Sequence, residues 1–322
     1  MTERDNSDRI GLVPDESITA VGSQNVPIPT NTGLNFVSPT EHVKLPSKGR
    51  FYPEGHPLFQ KEDLEIKYMT AKEEDILTSK SLLKKGIAVD RMLESVIIDK
   101  SIKLDDLILG DKNALILVSR ITGYGSKYET TITCPQCSEK TKNSFNLDQI
   151  VEKEAIIPEN IRETGRGTFM ILLPKTNADV EVRPLFGKDE KHLLALQEMR
   201  AKNHQPENLA TTQMKLFVVS VAGQSDRKVV DSFIESLPAM DSKFLRTSYK
   251  ELMPDVDMKQ LFECSKCSFE EQVEVPLTVG FFWPGSWLYW ADLRTYISYD
   301  VLYEVVVFRS IFFASWIKNL AN

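Results

Sequence analysis

Three observations predict an α+β fold. Apolar stripes at helical spacing alternate along the chain with short strand-like runs. The balance of 42% hydrophobic and 26% charged residues in 322 is that of one large or two ordinary globular domains. The four cysteines form two CxxC pairs, Cys134/Cys137 and Cys264/Cys267, so two distant places in the chain are expected to meet. The expected architecture is an N-terminal helical unit joined through a split four-cysteine ribbon to an inserted α+β region, followed by an aromatic tail.

Residues 1–45 are polar, rich in Ser, Thr, Asn and Pro, and hold no sustained period, which predicts a flexible arm. A mainly helical unit is expected over 46–125. It opens with an irregular, Pro- and Gly-punctuated lead-in at 45–59. Residues 64–69 alternate as a short strand, and Thr70 with Glu73 makes a capping-box pattern that starts a helix running to about Lys84. Gly86 stops it. Ala88, Val89, Met92, Leu93, Val96 and Ile97 then recur at helical spacing, and Asp111 is expected to cap a third helix ending near Gly123.

Residues 128–133 alternate as a strand that delivers the chain to the first CxxC, and the split ribbon is expected over 126–145 and 258–280. The inserted region, 146–257, holds an apolar stretch at 147–151 and a hairpin of 168–173 with 179–183 joined through Pro174. Helices are expected around 188–202, 209–221, 228–237 and 242–252, and short strands at 262–264 and 272–275 flank the second CxxC.

A net charge of −7 excludes proteins whose main task is to coat nucleic acid or an anionic membrane, since both demand a basic surface. The longest uncharged stretch, 275–291, contains Pro276, Gly280, Pro284 and Gly285, so no membrane span is expected. The first residues mix acids with arginines and lack an apolar region, which fits no secretory or transit signal and predicts a reducing cytoplasm.

In that setting CxxC pairs read as metal ligands. A CxxC turn aims both sulfurs at one ion, and a tetrahedral site takes two such pairs. Cys134, Cys137, Cys264 and Cys267 are therefore the candidate ligands of a structural zinc, with a rubredoxin-like iron site as the alternative of the same geometry. Four thiolates leave no open coordination position, so this metal is not expected to catalyse. A zinc ribbon also invites a nucleic-acid-binding reading, which is the alternative function. The knuckles oppose it, carrying Glu139, Glu263, Glu270, Glu271 and Glu274 against Lys140, Lys142 and Lys266.

No enzyme is expected. The sequence has no phosphate-binding loop, nucleophile elbow or HExxH motif, and His42, His56, His192 and His204 all read as surface histidines. The tail over 281–322 is more informative. It holds 13 of the 29 aromatic residues between Phe281 and Trp316, and all four tryptophans. Phe281, Phe282, Trp283, Trp287, Trp290, Phe312, Phe313 and Trp316 either pack into the chain's own core or form a face for another protein.

Specific strings then carry a resemblance. LPSKGRFYPEGHPL, TAKEEDIL, GDKNALILVSRITGYGSKYETTITCPQC and the second knuckle followed by FFWP together resemble the baseplate hub and hub-assembly proteins of T-even-type contractile-tailed bacteriophages, over about residues 40–290. The resemblance implies a phage morphogenesis protein, made in the host bacterial cytoplasm, that builds the central hub of the tail baseplate or acts during its assembly. Its implied partners are other tail and hub proteins. It brings no catalytic residues, and only the four cysteines transfer as a site.

Overall fold

The structure is a computed structural model that describes residues 38–153, 157–158, 161–165, 167–206, 208–276 and 281–282. The expected arm up to residue 37 and the tail from Trp283 onward lie outside these residues. The described chain mixes helix and antiparallel sheet, as the α+β reading requires.

Strand β1 (Thr40–Lys44) pairs antiparallel with β2 (Asp63–Lys67), from Thr40 opposite Lys67 to Lys44 opposite Asp63. β1 falls in the stretch read as the end of the arm. Its backbone pairing orders it although Val43 alone of its side chains is buried, so composition gave no sign of it. Between the two strands the irregular lead-in folds inward and buries Leu45, Phe51, Tyr52 and Leu58. Gly49, at φ +70°, lies so close to the backbone of Leu58 and Lys61 that a Cβ would overlap it.

The expected helix to Lys84 is two, α1 (Ala71–Thr78) and α2 (Lys80–Lys84). Ser79 between them is extended, and the Thr78 hydroxyl donates back to the Glu74 carbonyl, the local competition by which Ser and Thr interrupt helices. Then come α3 (Ala88–Val96), a 3-10 turn at Leu104–Asp106, and α4 (Leu109–Tyr124). The residue capping α4 is Ile108, and Asp111 stands in its first turn, completely buried.

Asp111 exemplifies a repeated device. Glu73, Asp90, Asp111, Asp189 and Asp241 each occupy the third position of a helix, where the backbone amides favour a carboxylate. Each also grips another part of the chain. Asp111 accepts from the amide (2.9 Å) and hydroxyl (2.6 Å) of Ser47 and from the Tyr52 hydroxyl (2.7 Å), which fastens the lead-in to α4. Glu73 accepts from Lys67, Ser95 and the Thr70 amide. Burial alone would raise its pKa, but these hydrogen bonds win and bring it down to about 2. Asp90 and Glu190 close on the buried Lys112 ammonium, each at 2.6 Å.

After α4 come the hairpin of β3 (Lys127–Thr133) and β4 (Lys140–Asn146), then β5 (Val151–Lys153). A four-stranded antiparallel sheet follows in the order β6 (Ile161–Glu163), β7 (Phe169–Leu172), β8 (Asp179–Val182), β9 (Val218–Val221). Between β8 and β9 lie α5 (Gly187–Lys202) and α6 (Leu209–Phe217). The helix expected through residue 221 stops at Phe217, because Val218, Val219 and Val221 favour extended backbone and complete the sheet beside β8. Asp189 chelates Arg183 (2.7 and 2.8 Å) at the start of α5.

Next are α7 (Arg227–Ser236) and α8 (Ala239–Leu252). Asp241 in α8 accepts from the amides of Lys175 and Thr176, holding the β7–β8 turn. Last come β10 (Asp255–Asp257), which pairs with β5, and the hairpin of β11 (Lys259–Glu263) and β12 (Glu270–Glu274). β10 lies against α4 at Gly110, where a Cβ would overlap the Pro254 carbonyl oxygen. The main core runs from Val43 to Phe282 and draws on most of these elements, and a second, small cluster surrounds Phe262 of β11.

Candidate metal centre

The β3–β4 and β11–β12 hairpins present their tips to each other, and the four cysteine sulfurs converge between them. All four Sγ atoms lie within 4.8 Å of one another. Across the hairpins Cys134 is 3.7 Å from Cys267, and Cys137 is 3.6 Å from Cys264. These are not disulfides, and the thiols are free. Thiolates at about 2.3 Å from one ion form a tetrahedron with edges of about 3.8 Å, so the cross-hairpin spacings fit a four-thiolate metal.

The two tips are built alike. Each first cysteine takes a hydrogen bond at its carbonyl from the serine four residues on, Ser138 to Cys134 and Ser268 to Cys264, both at 2.9 Å. Its own amide donates to the residue five on, Glu139 or Phe269. Ser138 and Ser268 both stand in the left-handed region, at φ 57° and 52°, which turns the chain back into the second strand of each hairpin.

The thiols differ in how readily they ionise. Backbone amides of Cys267 and Lys266 pull the Cys264 thiol down to about 6. Partial desolvation and the neighbouring thiols push that of Cys267 up to about 12. Four thiolates this close cannot all ionise unless positive charge sits among them. The Thr141 hydroxyl lies 3.8 Å from the Cys264 sulfur, and Lys266 bridges to Glu139 across the tips at 2.5 Å. Below the tips, Gln260 and the Asn146 backbone exchange two hydrogen bonds, of 2.6 and 3.2 Å. Thr141, Gln260 and the Lys266–Glu139 pair carry no sequence signal, since polar residues in a hairpin are expected whether or not they support a centre.

The remaining sequence-predicted positions divide clearly. His42 is exposed and contacts Asp63 at 2.5 Å, and His192 and His204 are exposed. His56 stacks on Tyr52 at 4.6 Å and accepts from the Leu58 amide, with its pKa lowered by burial. None of the four joins the cysteines. Of the aromatic residues read as either core or partner face, Phe281 and Phe282 are core: at 2% and 3% exposure they pack into the chain's own interior. Trp283, Trp287, Trp290, Phe312, Phe313 and Trp316 lie outside the described residues. Among the described residues no helix is long and apolar enough to cross a membrane.

Arg120 belongs to no catalytic or metal-binding motif. It is 1% exposed, and its guanidinium donates to the carbonyls of Phe281, Gly125 (2.6 Å) and Lys127 (3.2 Å). Its signal was present: it is the one charge in the run from Leu115 to Thr122, and a buried arginine must find acceptors.

Fold and site define an α+β protein organised about a four-cysteine centre. Residues 38–171 match the family model described as T4 bacteriophage base plate protein, and over that segment the chain is similar to it. The match takes in β1 to β7 and Cys134 with Cys137, whereas Cys264 and Cys267 lie beyond it. No curated protein and no solved structure matches the chain.

Proposed function

We propose that the chain is a component or assembly factor of the central hub of a contractile-tailed phage baseplate, with its four cysteines holding a structural zinc. The match to the baseplate family over 38–171 carries this reading. In it, the two hairpins are the halves of a split zinc ribbon that joins the N-terminal helical unit to the inserted α+β region. Cys134, Cys137, Cys264 and Cys267 hold the ion. Bound there, the ion supplies a cross-link and no reactive position, because protein thiolates fill its shell.

The chain's own residues are arranged for fixed structure, not turnover. A cavity of about 340 Å³ lies between the start of α4, the end of α8 and β10. Of its ionisable groups, Lys112 is engaged with Glu190 and Asp255 with Asn113. Partners are other tail and hub proteins, met through the aromatic segment from Trp283 onward. The protein acts in the host bacterial cytoplasm during assembly or in the tail baseplate of the virion.

The test is co-purification of the full chain from infected cells, with mass spectrometry of finished particles. Recovery with hub proteins supports the reading, and presence or absence in particles separates component from assembly factor. Recovery with no tail protein, together with absence from particles, would overturn it.

A further inference from the structure

The residues around the thiols form a small apolar cluster of their own, Cys134, Phe262 and Cys264 with Ile132, Phe269 and Val273 beside them. Phe281 and Phe282, a few residues after β12, belong instead to the main core. Two side chains clasp Phe281, and Phe282 packs edge-on against it. Arg120 of α4 donates to the Phe281 carbonyl and, with the same guanidinium, to Lys127 at the start of β3. Tyr128 of β3 donates its hydroxyl to the Pro276 carbonyl at 2.9 Å and meets the Phe281 ring edge-on at 5.3 Å. The clasp therefore holds the beginning of the first hairpin and the chain leaving the second one together.

We propose that the metal centre is a latch on this clasp. With the ion bound, the β11–β12 hairpin is pinned to β3–β4 and Phe281 and Phe282 are docked. When the ion leaves, the second hairpin separates and the two phenylalanines come off the core, presenting an aromatic surface next to the segment proposed for partner contacts. The inference rests on the metal reading above and adds its regulation.

The balance of contacts supports this. Apart from the ion, the described contacts between the hairpins are the exposed Lys266–Glu139 pair, the Gln260–Asn146 exchange, the Thr141–Cys264 contact and the small cluster around Phe262, while Val273 and Val275 rest on the main core. Exposed ion pairs contribute little, and a two-stranded hairpin is marginal alone. Arg120 makes undocking a discrete event: its buried guanidinium has a backbone carbonyl at Phe281 or loses that acceptor altogether.

The test is hydrogen–deuterium exchange of the full reduced chain, zinc-loaded and after removal of zinc by a chelator. Removal is expected to raise exchange at Phe281 and Phe282 at least tenfold while the buried turns of α4 stay protected. Opening of 134–139 and 264–269 with 281–282 still protected would overturn the latch and leave the metal site standing. Loss of protection throughout α4 would also overturn it, showing that the ion holds the whole fold. A chain that never bound metal would overturn the reading beneath it. In the zinc-loaded chain, Arg120→Met is expected to expose 281–282 with metal content unchanged. Should that variant fail to fold, Tyr128→Phe, which removes the bond to Pro276 and keeps the ring, is expected to raise exchange there several-fold; unchanged protection would refute the clasp.

Discussion

Replacing Cys264 with Ser tests the centre at a buried cross-hairpin ligand. Cys264 is 1% exposed, sits 3.6 Å from Cys137, and carries the thiol most readily ionised, down to about 6. Cys137 and Cys264 are separated by 126 residues, so a metal joining them closes a long loop. Treated as a cross-link, closing that loop removes about 5 kcal/mol of unfolded-chain entropy at 25 °C, and this is the stabilisation the ion confers beyond its bonds. Serine is a poor ligand for zinc, so Cys264→Ser is expected to lose the metal and with it about that much stability. The assay is urea unfolding of the full reduced chain, with metal content measured on the same samples. Chelation of the unsubstituted protein should reproduce most of the loss, and chelation of Cys264→Ser should add nothing. A variant that keeps one tightly bound ion, or one that unfolds at the unsubstituted midpoint after losing it, would refute the reasoning.

Three further substitutions probe the scaffold. Asp111→Ala strands three buried donors of Ser47 and Tyr52; it is expected to cost about 3 kcal/mol in urea unfolding and to speed amide exchange in the lead-in at 45–58. A loss below about 0.5 kcal/mol, the range of neutral surface changes, would contradict it. Gly110→Ala drives a methyl into the Pro254 carbonyl and is expected to destabilise by about 1–3 kcal/mol, read as a lowered Tm; an unchanged Tm would show that β10 yields freely. Glu73, at about 2 instead of 4.5, favours the folded state fully above pH 4.5, and that contribution is lost as pH falls towards 2. It amounts to roughly 3 kcal/mol, so Glu73→Gln should lower stability at pH 7 and flatten its decline over that window; parallel pH profiles of the two proteins would count against it.

How much of this was legible depends on the range of the interaction. The CxxC pairs were legible because two ligands of one ion lie in one turn, and two such pairs imply each other. The capping box at Thr70 and Glu73 was equally local. Asp111 was read as a cap because acids favour helix starts, but its partners Ser47 and Tyr52 lie 64 and 59 residues away. β9 was read as helix because its apolar spacing continues that of α6, and only pairing with β8 decides for extended backbone. Phe281 and Phe282 illustrate a different limit. Apolar side chains destined for a core and for an interface have the same chemistry, and Arg120, far off in sequence, marks these two as core.

The most direct measurement is native mass spectrometry of the full chain, purified under reduction without added metal, with thiol labelling in parallel. The account predicts one ion per chain, of zinc mass, with all four cysteines protected from alkylation until a chelator is added. A folded, reduced, metal-free chain whose four thiols react freely would contradict it.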